Sequence, residues 1–82
     1  MGNKMLKNGG WRGAGEFVSI RKTVETKSGP VQVCSYTCQQ DQTGEKRTRA
    51  YFELRSANRV VMLPPAVKTL SAAIVEAGRI FG

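Results

Sequence analysis

Residues 46–55 read KRTRAYFELR, and the chemistry of this run changes with a period of two. Side chains alternate across a β-strand, so Arg47, Arg49, Tyr51, Glu53 and Arg55 share one face and Thr48, Ala50, Phe52 and Leu54 the other. The second face can fill a core. The first sets an aromatic ring among guanidinium groups, which meet a phosphate backbone with charge while the ring meets an unstacked base. The solvated outer face of an ordinary antiparallel sheet carries similar residues.

The flanking sequence supplies further strands. Upstream, DQTGE (residues 41–45) is a polar connection containing one glycine, which predicts a hairpin into the strand. Before it, VQVCSYTCQQ (31–40) is a second β-rich run, with Val31 and Val33 on one face and Cys34, Tyr36 and Cys38 on the other. Apolar groups on both faces point to a bend, a bulge or a face covered by a second subunit. Ser28, Gly29 and Pro30 supply turn chemistry. FVSIRKTVET (17–26) alternates into a first strand, with Lys22 interrupting its apolar side as at a sheet edge.

Downstream, residues 56–58 (SAN) make a turn and residues 59–63 (RVVML) a short apolar fourth strand. Pro64 and Pro65 end it, since proline cannot donate to a ladder. Proline is tolerated in a first helical turn, and Val67, Leu70, Ala73, Ile74 and Ala77 recur at helical spacing, so a helix is expected over 66–78 with Gly78 as its cap. Ile80 and Phe81 then form a tail folded onto the core or onto a partner chain. The expected fold class is α+β: a four-stranded antiparallel sheet followed by one C-terminal helix. Residues 16–82 form this single domain and residues 1–15 a flexible, basic, glycine-rich arm.

Thirteen Lys and Arg against six Asp and Glu leave a net charge of +7 on 82 residues, which points to a polyanionic partner. Residues 1–59 hold eleven of the cations, so the basic surface belongs to the sheet and arm. No run approaches the roughly 18 apolar residues of a spanning helix, and the leading segment lacks the apolar core of a secretory leader. A cytoplasmic place is expected, nucleoid-associated in a bacterium. Cys34 and Cys38 would lie about 13 Å apart along a strand, beyond the roughly 7 Å reach of a disulfide, which predicts free thiols.

Enzymatic chemistry has little to use. The chain has no His, its carboxylates (Glu16, Glu25, Asp41, Glu45, Glu53, Glu76) are scattered, and no base sits beside either thiol. The glycines of residues 10–15 lack the strand and helix that a phosphate-binding loop requires. No enzyme activity, cofactor, metal or small-molecule substrate is expected.

The strand order, with a short fourth strand running through RVVMLPPAVKTLSAAIVEAG (59–78) into a helix, resembles the single-stranded-DNA-binding domain of the positive-cofactor transcriptional coactivators and the related Whirly and Pur-alpha proteins. The likeness covers residues 16–80 and rests on element order and charge placement. It implies a curved sheet that binds single strands and helices that help form a homodimer. The two cysteines of the second strand and the paired prolines before the helix depart from that pattern.

The expected function is binding of single-stranded nucleic acid, DNA more than RNA, by a homodimer, in transcription or replication. Arg21, Lys22, Arg47, Arg49, Arg55 and Arg59 are the candidates for phosphate, and Tyr51, with Tyr36 or Trp11, for stacking on bases. Trp11 has two readings, an anchor packed on the domain or a stacking ring. The alternative function is a protein-interaction module, a regulator of the phage or plasmid type whose basic face docks on an acidic protein. Glu53 in the middle of the basic face favours that alternative or a plain solvated face.

Overall fold

The computed structural model describes residues 4–13, 15–42 and 45–82, with side chains at 4–11, 15–37 and 50–82. Five strands, β1 (Gly10–Gly13), β2 (Glu16–Thr26), β3 (Gly29–Gln42), β4 (Glu45–Arg55) and β5 (Val60–Met62), precede one helix, α1 (Leu70–Phe81). The strands form one sheet in sequence order, β1-β2-β3-β4-β5, antiparallel throughout. The α+β class and the terminal helix match the sequence reading. The strand count is five instead of four, because Trp11 and its neighbours add to the β2 edge, with Trp11 opposite Phe17. The expected boundary at residue 15 therefore falls inside a hairpin, β1 to β2.

The β2–β3 turn is closed locally. Gly29 has φ +100°, which L side chains avoid, Thr26 Oγ1 donates to the Gly29 carbonyl (2.8 Å), and the Ser28 amide donates to Thr26 Oγ1 (3.1 Å). A bulge shifts β2 by one residue between Ile20 and Lys22, leaving Arg21 out of the pairing. The β3–β4 register runs unbroken from Gln32↔Arg55 to Gln42↔Glu45. No bend of β3 is needed to explain its two apolar faces.

One face of the sheet carries α1. Val31, Val33, Leu54, Leu63, Val67, Ala73, Ala77 and Phe81 form the buried cluster between them, with Val24, Phe52, Val61, Leu70, Ala72, Ile74 and Ile80 packed around it. Full burial of a Val or Leu side chain stabilises by about 1.5–3 kcal/mol, so this layer dominates the stability. Val61, Leu63, Ile80 and Phe81 all join this layer, while Val60 and Met62 stay exposed.

The helix differs from the expectation at both ends. Pro64 and Pro65 do not enter its first turn; they belong to a turn closed by the Val67 amide on the Pro64 carbonyl (2.9 Å). Thr69, extended at φ −125° and ψ 155°, is the N-cap, and its side chain accepts from the Ala72 amide (3.1 Å). Gly78 does not end the helix, because continuing one more turn buries Phe81; the cap is Gly82, whose amide donates to the Gly78 carbonyl (3.0 Å). Ile80 and Phe81 are thus helical and part of the core. Two contacts fasten this end: Ser28 Oγ donates to the Phe81 carbonyl (2.8 Å), and the Arg59 guanidinium lies 4.8 Å from the Phe81 ring centre.

The opposite face is covered by the chain itself. Residues 4–9 leave the β2 edge, where a Cβ on Gly9 would meet the Val18 carbonyl at 2.7 Å, and cross to β3 and β4. The Leu6 amide and carbonyl both bond the Gln32 carboxamide (2.7 Å each), the Lys4 carbonyl accepts from Arg55 Nη1 (3.1 Å), and the Lys4 amide donates to the Ala57 carbonyl (3.3 Å). Val18 and Cys34 are fully buried on this side, outside the main cluster. A covering layer for the second face of β3 is therefore present within one chain.

Candidate nucleic-acid interface

Directly opposed residues of neighbouring strands share a face, and that rule extends two rows across the sheet beyond the helix. Trp11↔Phe17↔Thr37↔Ala50 is one row and Ser19↔Ser35↔Phe52 the next. Helix α1 touches β2, β3 and β4, so it crosses the strands. A helix is about 10 Å wide and an 11-residue strand about 36 Å long. One end of the sheet stays uncovered.

At this open end Trp11 is 70% exposed and meets Phe17 edge to face, with ring centres 5.1 Å apart and planes at 71°. Of its two readings, the structure gives a ring held by a neighbour and presented to solvent. Beside it lies a cleft of about 380 Å³ between the sheet and the 64–68 turn, lined by Arg21, Ser35, Thr37, Phe52, Val67 and Lys68 among others. Arg21 and Lys68 are exposed. The surface thus combines aromatic rings, hydroxyl groups and bordering cations, the residue set that holds single strands by stacking and charge.

The structure separates several of the sequence-predicted residues from one another. Arg55 is committed elsewhere: its Nε donates to Glu53 Oε1 at 2.7 Å, both side chains are largely buried, and the Lys4 carbonyl takes another of its N–H groups. Glu53, read as a sign of a protein partner or a solvated face, is the buried half of this pair. Arg59 is exposed but lies over Phe81 at the helix end. Tyr51 stacks on Tyr36 (4.6 Å, 29°) on the face away from the helix, not beside Trp11. Lys22 is exposed on β2, opposite Val33 at the helix-covered end. The backbones of Arg47 and Arg49 pair with Gln40 and Cys38; their side chains lie outside the described residues, as does the centre of the 41–45 connection.

Of the expected set, Trp11 and Arg21 reach the open end, and Tyr51 contributes to the wall of the cleft there. Phe52, Ser35, Thr37 and Lys68 were not among the expected site residues. Phe52 is read from alternation as a core residue, and it is one on the helix-facing side. The signal available in the sequence was length: a single short helix cannot cover four long strands.

The chain matches no family model, no curated protein and no solved structure. The site is therefore argued from its own chemistry. Among the described residues no three His, Cys, Asp or Glu side chains gather as a metal site, and no helix is long and apolar enough to cross a membrane. Among the described residues, a charge perturbation is resolved at the Glu76–Arg79 pair of α1. There a side-chain hydrogen bond from Arg79 holds the Glu76 carboxyl below its usual range, remote from the cleft.

Proposed function

We propose that the protein binds single-stranded nucleic acid, DNA in preference to RNA, on the helix-free end of the α1 side of its sheet. Bases stack on Trp11, supported by Phe17, and reach toward Phe52 in the cleft; Arg21 and Lys68 meet phosphates, with Lys22 adding charge. The observation that carries the reading is Trp11, a large ring kept 70% exposed on an ordered strand by a second ring, in a chain of net charge +7. Burying such a ring against a base recovers apolar area that the free protein leaves in water. Duplex readout has less support, because α1 spends its apolar side on the core and its exposed positions include only Ser71, Val75, Gly78 and Arg79.

The test is fluorescence anisotropy with single-stranded DNA, duplex and RNA of equal length over a salt series. Trp11 is the sole tryptophan, so quenching of its emission by oligothymidylate reports stacking at this residue. The expected result is tightest binding to the single strand, with quenching. Changing Arg21 and Lys68 together to Ala is expected to flatten the slope of log affinity against log salt by roughly 0.7 per lost phosphate contact. Absence of single-strand binding, or binding without a change in Trp11 emission, overturns the proposal.

A further inference from the structure

The strand β4 is eleven residues long, yet β5 pairs only with Glu53, Leu54 and Arg55. One more bond continues the line, from the Leu63 amide to the Phe52 carbonyl (2.9 Å), and Pro64 and Pro65 then turn the chain away. Backbone groups of a strand alternate in direction, residue by residue. The Phe52 carbonyl points outward from the sheet, so the amide and carbonyl of Ala50, two residues earlier, point to the same side. Among the described residues no strand lies against β4 there. Beside this edge is an open hollow of about 480 Å³ lined by Ala50, Tyr51, Met62, Leu63 and Pro65, with Met62 64% exposed at its rim.

An outward backbone edge next to a mainly apolar hollow is the pairing template that extended peptides use: main-chain bonds give affinity and the hollow takes a side chain. We propose that the outer edge of β4 is a docking site for an extended acidic segment of a partner protein, added as a strand in line with β5. The charge of the edge selects the occupant. The sequence of the β4 backbone that continues this edge, KRTR at 46–49, is basic, which favours an acidic occupant. A second copy of β4 laid antiparallel on the first would bring like charges opposite one another, which is unfavourable. Basic residues on an exposed edge also deter self-association. The hollow shares Ala50, Tyr51 and Pro65 with the neighbouring cleft, whereas Met62 and Leu63 line the hollow and not the cleft, so Met62 variants read this site apart from the nucleic-acid reading.

The probe is a fluorescein-labelled decapeptide of alternating Glu and Val, with an alternating Lys and Val peptide as control. Anisotropy is expected to rise with the acidic peptide alone, and hydrogen exchange at the Ala50 amide is expected to slow when it binds. Met62→Thr, which keeps a strand-compatible residue but empties the hollow's rim, is expected to weaken peptide binding. Met62→Asp, adding like charge, is expected to weaken it about tenfold or more, a loss equivalent to roughly 1.4 kcal/mol, while far-UV circular dichroism verifies the fold of both variants. Three results overturn the proposal: no binding of the acidic peptide, binding that leaves Ala50 exchange unchanged, or an Ala50 amide already protected in a dimer detected by sedimentation.

Discussion

The two ends of the sheet are built from the same strands and put to opposite uses. At the closed end Val31, Val33 and Leu54 lie under α1, and behind them the Glu53–Arg55 pair is tied to the segment at Lys4. At the open end the corresponding face shows Trp11, Phe17, Ser35 and Thr37 beside Arg21 and Lys68. Arginine occurs at both ends and means different things. Arg55 satisfies a buried carboxylate, whereas Arg21 sits unpaired in the ladder on a bulge and exposed. The difference lies in what covers each residue, not in residue type.

The sharpest way to break this contrast is to injure the closed end. Leu54 is fully buried, so Leu54→Ala is expected to cost about 2–5 kcal/mol of stability in a urea titration. Next comes Arg55→Ala. If Arg55 serves the fold, its loss strands the buried Glu53 and lowers stability by about 3 kcal/mol, with an unchanged salt slope for oligonucleotide binding. A flatter slope with intact stability would instead return Arg55 to the interface.

At the open end the expected effects are on binding. Trp11→Ala should cost about 1–3 kcal/mol in affinity for a single strand, with no more than a minor shift in the urea midpoint, since the ring is mostly in solvent. Loss of stability of the same size would make Trp11 an anchor of β1. The smallest effect sharpens the closed end again: Thr69→Ala removes the cap that accepts from the Ala72 amide and should cost about 1 kcal/mol, without altering binding.

Much of this architecture was legible from residue patterns. Alternation in 46–55 and 17–26 marked β4 and β2, and the spacing of Leu70, Ala73, Ile74 and Ala77 marked α1, because local periodicity reports which side is buried. The start of the helix was misplaced by the prolines, which are compatible with both a first turn and a preceding loop, while the deciding bond from Ala72 to Thr69 is a weak signal in sequence. The glycines of residues 9–15 hid β1, whose pairing depends on a partner strand and not on its own propensity.

The site was less legible than the fold. Alternation assigns a face but not the portion of that face a helix will cover, so Phe52 reads as core and Arg55 as surface when each is partly or wholly the reverse. The opposite-face reading of Tyr51 with Arg55 was sound as geometry. Arg55 is drawn out of that set because residues 4–9, read as part of a flexible arm, supply an acceptor that holds it down. Contacts between residues fifty positions apart leave no periodic trace.

The position of α1 after every strand also sets an order of events during synthesis. A sequential meander can pair each strand with its predecessor as it emerges from the ribosome. The cover over Val31, Val33 and Leu54 is complete only once Phe81 has been added. At roughly 5–20 residues per second, the apolar face around Leu54 waits about 1–5 s for its lid. During that interval the nascent sheet presents an unfinished apolar surface to its surroundings.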